Sequence, residues 1–257
     1  MTAREQWTAY WTLVVRETLR FARIWVQTVV PPMVTTALYF IIFGNLIGER
    51  VGPMAGHPYR EFIVPGLVLM SVITNSYANV VSSFFSAKYQ RHVEEMLVAP
   101  VPHYVILAGY VTGGVLRGVV VGVAVTGVAA LFATVRVHHG AVLVAVALLT
   151  AVLFSTGGFI NAIYARNFDD ISIVPTFVLT PLTYLGGVFY SVSLLPPLWR
   201  ELSLANPILY LVDGFRYAML GVSDGPPWVG FIIAGTACVA LWAFALGLLR
   251  RGVGIRS

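Results

Sequence analysis

Residues Ile24–Ile47 run for 24 positions without Asp, Glu, Lys or Arg. Wound as an α-helix at about 1.5 Å per residue, that stretch outreaches the ~30 Å hydrocarbon core of a bilayer. Similar runs recur at 62–85, 104–135, 140–164, 171–190 and 228–249, interrupted by one charge, Arg117. Only 11% of the 257 residues are charged and mean hydropathy is +0.83, against roughly 25% charge in soluble domains. The expectation is an all-α integral membrane protein of about six transmembrane helices in one domain spanning 1–257. A sizeable soluble domain does not fit in what remains.

The net charge of +5 then reads as loop topology rather than as a nucleic-acid surface. The first 23 residues, the 86–103 stretch, the 165–170 loop and the C-terminal tail together hold ten Arg and Lys. The opposite loops hold five: Arg50, Arg60, Arg136, Arg200 and Arg216. The positive-inside rule places both termini in the cytoplasm. The N-terminal 23 residues carry too many charges for a signal peptide. Their Trp7, Trp11, Val14, Thr18 and Phe21 at helical spacing predict an amphipathic helix lying at the interface.

Between the second and third runs lies SAKYQRHVEEMLVAPVPHY, Ser86–Tyr104. Lys88, Arg91, His92, Glu94, Glu95 and His103 crowd into it, and Pro100 and Pro102 close it. Such a polar segment between two apolar rods predicts a short cytoplasmic helix. Arg91, Glu94 and Glu95 would offer charge to a partner protein, and Met96 and Leu97 would fill an apolar notch on it. A solvated loop is the plain alternative.

In the second run Ser71, Asn75, Asn79 and Ser82 recur at three- and four-residue spacing and share one helical face. Amides and hydroxyls facing lipid lack partners. The face therefore meets other helices or lines a wet pathway. Phe177, Thr180 and Tyr184 share a face of the fifth run, which Pro175, Pro181, Gly186 and Gly187 make irregular. Pro31-Pro32 should kink or restart the first helix. Gly109, Gly113, Gly114, Gly118 and Gly122 in the third run mark close helix approach. Arg117 among them reads as snorkelling to the cytoplasmic side, or as functional. Residues 191–225 are broken by proline and charge into apolar pieces of about ten residues, too short to span and suited to an external re-entrant hairpin.

Some chemistry is missing. All eleven acids fall in loops or at span ends on this reading, which argues against proton coupling through an intramembrane carboxylate. Neither H-E-x-x-H, G-x-S-x-G nor G-x-x-x-x-G-K-[ST] occurs, so the chain has no P-loop for ATP. His138-His139 lacks nearby acidic or thiol companions, so no metal site is expected. The one cysteine, Cys238, allows no internal disulfide.

Four stretches resemble a known family: RIWVQTVVPPMVTTALYFIIFGNLIG at 23–48, FIVPGLVLMSVITNSYANVVSSFF at 62–85, EEMLVAPVP at 94–102, and FDDISIVPTFVLTPLTYLGGVFYS at 168–191 continuing to NPILYLVDGFR at 206–216. The chain is similar to the membrane subunit of ABC exporters of the ABC-2 type, in particular the bacterial YadH-type inner-membrane permeases. That resemblance implies a non-enzymatic permease working as a homodimer with two copies of a separate ABC ATPase, which would hold the ATP and Mg. The family's acidic-apolar-Pro motif maps onto Glu95, Leu97 and Pro100, with Ala99 where relatives often have Thr. Its external hairpin motif maps onto Asn206, Pro207, Asp213 and Arg216. The expected cargo is apolar or amphipathic, because the expected lining carries no fixed charge. A secondary transporter or channel without an ATPase is the alternative.

Overall fold

The computed structural model describes residues 1–254, apart from the side chains of Asn45, Glu49, Glu94 and Leu97. Arg256 of the basic tail and the side chains of Glu94 and Leu97 in the 86–104 stretch therefore lie outside the described residues. The described chain is helical, with no strand beyond an isolated bridge between Met54 and His57.

Helix α1, Ala3–Arg23, opens with a reciprocal cap: Glu5 N–H donates to Thr2 Oγ1 at 3.4 Å and Thr2 N–H to Glu5 Oε2 at 2.8 Å. Such a cap satisfies two of the amides that a helix start leaves free. The chain breaks at Ile24 (φ −111°, ψ 34°) and restarts as α2, Trp25–Tyr39, which passes through Pro31 and Pro32 and widens to π geometry over Phe40–Ile47. The expected restart thus falls ahead of the prolines, at Ile24. After the short α3, Gly48–Val51, come α4 (Tyr59–Tyr89), α5 (His92–Val98), α6 (His103–Phe132) and α7 (Gly140–Tyr164). Then follow α8 (Asp170–Val174), a π turn at Pro175–Leu179, α9 (Thr180–Leu185), α10 (Pro197–Leu204), α11 (Pro207–Leu220) and α12 (Pro227–Arg251).

Five segments are long and apolar enough to cross a membrane: Trp25–Gly44, α4, α6, α7 and α12. The fifth run is shorter than its sequence indicates. It is helical only over Asp170–Leu185, 16 residues, or about 24 Å at helical rise. Gly186 and Gly187 end it, Gly187 at φ +72°, a conformation that side-chain-bearing residues rarely adopt.

Helix α4 is the axis of the bundle, packed against α6, α7 and α11, and α1, seated on α6, reaches it through side-chain hydrogen bonds. In lipid no hydrophobic force draws one apolar helix to another, so close fit must hold them. The glycines of α6 supply it on two sides. A Cβ at Gly109 or Gly113 would sit 2.7 Å from Leu13 or 2.5 Å from Glu17 of α1, and one at Gly118 would overlap Ser76 of α4. Two apolar cores result. Phe62, Leu69, Val121, Val146 and Phe215 belong to one; Phe84, Tyr110, Phe159, Ile163 and Leu249 belong to the other. On α4 the polar pair Asn75 and Ser76 falls between them.

Candidate functional site

The polar segment between α4 and α6 forms as a distinct element. Helix α4 stops at Tyr89, Arg91 turns the chain with φ +61°, and α5 follows. Ala99 is extended (ψ 146°), as a residue before proline must be, and Pro102 leads into α6. Arg91, Glu95 and Pro100 are exposed, as expected. Two side chains depart from expectation. Lys88 turns inward and donates to the carbonyls of Ile163 at 2.6 Å and Ala165 at 2.7 Å, capping the end of α7. Met96 shares a face with the buried Val93 and looks toward α1, where it helps line a cavity of about 540 Å³. Among the described side chains of α5 the outward apolar residue is Val98, 87% exposed, which the sequence reading did not single out.

The polar face of α4 divides. Ser71 and Asn75 border an open groove of about 360 Å³ between α2 and α4, which Gln27, Thr35, Thr74 and Arg117 also line. Asn79 is buried and instead accepts from Arg20 Nη2 at 2.7 Å, while Ser82 Oγ donates to the Asn79 carbonyl at 3.1 Å. Helix–helix bonding thus claims one half of the face and the groove the other.

Arg117 is the fifteenth of the thirty residues of α6 and donates to Asn75 Oδ1 at 3.4 Å. It sits mid-helix and faces α4.

Two acids are buried, Glu17 of α1 and Asp213 of α11, and both lie outside the segments long and apolar enough to span. Glu17 of α1 is 1% exposed. Its carboxylate accepts from Ser83 Oγ at 2.7 Å, Arg20 Nε at 3.3 Å and Arg16 Nη2 at 3.4 Å. Trp7 and Trp11 do face outward, but Val14, Glu17 and Phe21 pack inward. The apolar residues of α1 therefore serve two faces rather than the single one expected, and the inner one sits on the glycines of α6.

In the fifth run, Phe177, Thr180 and Tyr184 are exposed. The Tyr184 and Tyr39 hydroxyls share a hydrogen bond of 2.9 Å, and Tyr39, Phe43 and Phe189 pack ring to ring there. Tyr39 of this aromatic cluster also lines the groove.

The hairpin motif is structural glue. Asn206 caps α11 by accepting from Ile208 N–H at 3.0 Å and donates to the Leu182 carbonyl at 2.6 Å. Pro207 opens α11 where no N–H is needed. Arg216 is 1% exposed, lies 4.1 Å over the Phe62 ring and donates to the Gly187 carbonyl at 2.5 Å. Asp213 and Asp224 each stand 3.9 Å from its guanidinium. Asp213 also accepts from Ser223 Oγ at 2.6 Å and Asp224 N–H at 2.8 Å. Asp224, Ser191 and Ser223 were not singled out from sequence, since loop residues of this kind carry no periodic signal. Among the described residues no group of His, Cys, Asp and Glu could hold a metal ion.

Residues 8–220 match the family model for the ABC-2 type transporter. The chain is 57% identical over 251 residues to the inner membrane transport permease YadH of Escherichia coli K12, covering 98% of each. It is 26% identical over 251 residues to nodulation protein J of Rhizobium meliloti, covering 95% of this chain and 93% of that one. Nodulation protein J of Rhizobium leguminosarum is 24% identical over 218 residues, covering 84% and 82%. An all-helical bundle with membrane-length apolar helices, matched across most of its length, makes this chain a member of the ABC-2 type transporter family.

Proposed function

We propose that this chain is the membrane permease of an ATP-driven exporter in a bacterial inner membrane, with both termini cytoplasmic. Two copies form the pathway, and two copies of a separate ATPase, holding ATP and Mg, grip the cytoplasmic face. One observation carries the reading: α5, seven residues between two helices of 31 and 30 residues, turns Arg91, Glu95 and Val98 outward. Charged groups around an apolar tip are what a gripping protein surface can use. Pro100 and Pro102 stiffen the link into α6, so displacement of α5 is passed to the helix that carries Arg117. The groove between α2 and α4, the exposed face of Phe177, Thr180 and Tyr184, and the second copy would enclose an amphipathic cargo. Glu94→Ala with Glu95→Ala, in vesicles reconstituted with the ATPase, should leave hydrolysis running while transport falls. Unchanged coupling would count against the proposal.

The buried Glu17 favours one other reading, a carboxylate-driven secondary transporter needing no ATPase. Solute movement by the purified chain alone, without nucleotide, would establish it.

A further inference from the structure

The groove between α2 and α4 has an uneven chemistry. Leu67, Met70 and Ala78 give it apolar wall, Thr35, Thr74 and Asn75 give it hydrogen-bonding groups, and Arg117 gives it a fixed cation. Among the described residues no carboxylate lies within 4.0 Å of Arg117. Its one hydrogen bond is the 3.4 Å contact with Asn75, and its buried Nε has no partner. The other arginine reaching this face of α4, Arg20, is held by Glu17 and Asn79. A guanidinium presents five donors and does not lose its proton in proteins. Midway along a bundle helix such a charge is costly unless paired.

We propose that the groove binds the anionic headgroup of an amphiphile, with Arg117 as its counter-charge and the apolar wall against its chain. The inference rests on the exporter reading and sharpens it, giving the amphipathic cargo an acidic or phosphate-bearing head. It also revises the sequence-based picture of a lining without fixed charge. Thr35, Thr74 and Asn75 are placed to bond the polar part of such a head. Asn75 would turn its carbonyl away from the guanidinium when the anion arrives.

The test uses the purified full chain in zwitterionic micelles. Phosphatidylglycerol and phosphatidylcholine of equal acyl length are the probes, and retained lipid is counted by native mass spectrometry. Wild type should retain the anionic lipid at least about tenfold more tightly than the zwitterionic one, the factor that ~1.4 kcal/mol represents. Arg117→Gln should abolish the preference, and Arg117→Lys should keep part of it. Asn75→Asp supplies an internal anion 3.4 Å from the guanidinium; it should also abolish the preference while the thermal midpoint holds or rises. That combination separates loss of the site from loss of the fold. An undiminished preference in Arg117→Gln or Asn75→Asp would overturn the proposal. So would inorganic phosphate binding as tightly as the lipid with the same dependence on Arg117, because the amphiphile would then be replaced by a free anion. None of these readouts involves the ATPase, so failure here is distinct from failure of coupling at α5.

Discussion

Removing the Glu17 carboxylate should detach α1 from the bundle before it unfolds anything else. The group is 1% exposed and takes three hydrogen bonds, from Ser83, Arg20 and Arg16. Breaking a fully buried ion pair costs ~3–5 kcal/mol. Here both arginines are partly solvated, with side chains 46% and 32% exposed, so water can take over much of their share. What remains is the buried Ser83 hydroxyl left without an acceptor, at ~1–3 kcal/mol, and a cavity beside Gly113. For Glu17→Ala we expect ~2 kcal/mol, or about a thirtyfold rise in the opening of α1. Hydrogen exchange of the purified chain in micelles reads this directly. Protection of amides in 3–23 should fall by about that factor, while amides in the α4 core hold. Glu17→Gln keeps an acceptor for Ser83 and should cost about half as much. If α1 exchanges at the wild-type rate in Glu17→Ala, the carboxylate does not hold the helix and the argument fails.

Other substitutions probe the remaining contacts. Gly118→Leu should destabilise the bundle by more than ~3 kcal/mol, because even its Cβ overlaps Ser76; Gly127→Ala, with open space around it, should be neutral or slightly stabilising in thermal unfolding. Arg216→Met leaves Asp213 and Asp224 facing each other around a buried site, and should expose 191–225 to protease at concentrations that spare the wild type. Asn206→Ala removes both the α11 cap and the bond to Leu182; a loss of ~1–2 kcal/mol is expected in denaturant titration.

The spans and the short helix α5 could be read in the sequence because long uncharged runs and proline punctuation are local signals. The glycine row of α6 was visible too, but not that it serves two neighbours, α1 through Gly109 and Gly113 and α4 through Gly118. Polar spacing on α4 identified Asn75 and Asn79 without revealing that Arg117 would take one and Arg20 the other. Those pairings join residues 42 and 59 positions apart, a separation at which no periodicity speaks. The burial of Glu17 was not legible for the same reason: its neighbours in sequence are arginines, and only the fold closes Ser83 and Gly113 over it. The fifth run was read too long because Gly186–Tyr190 is apolar, although its backbone leaves the helix at Gly186.

The central claim is that an ATPase grips α5 from the cytoplasm, and a cysteine at position 98 tests it most directly. In a Cys238→Ser background, Val98→Cys places a thiol at the site of the 87% exposed outward residue of that helix. With a short bifunctional reagent in inside-out vesicles, the account predicts a cross-link to the ATPase subunit and no labelling of the thiol in intact cells. Labelling from the outside of intact cells, or a thiol freely reactive in the assembled complex, would contradict it.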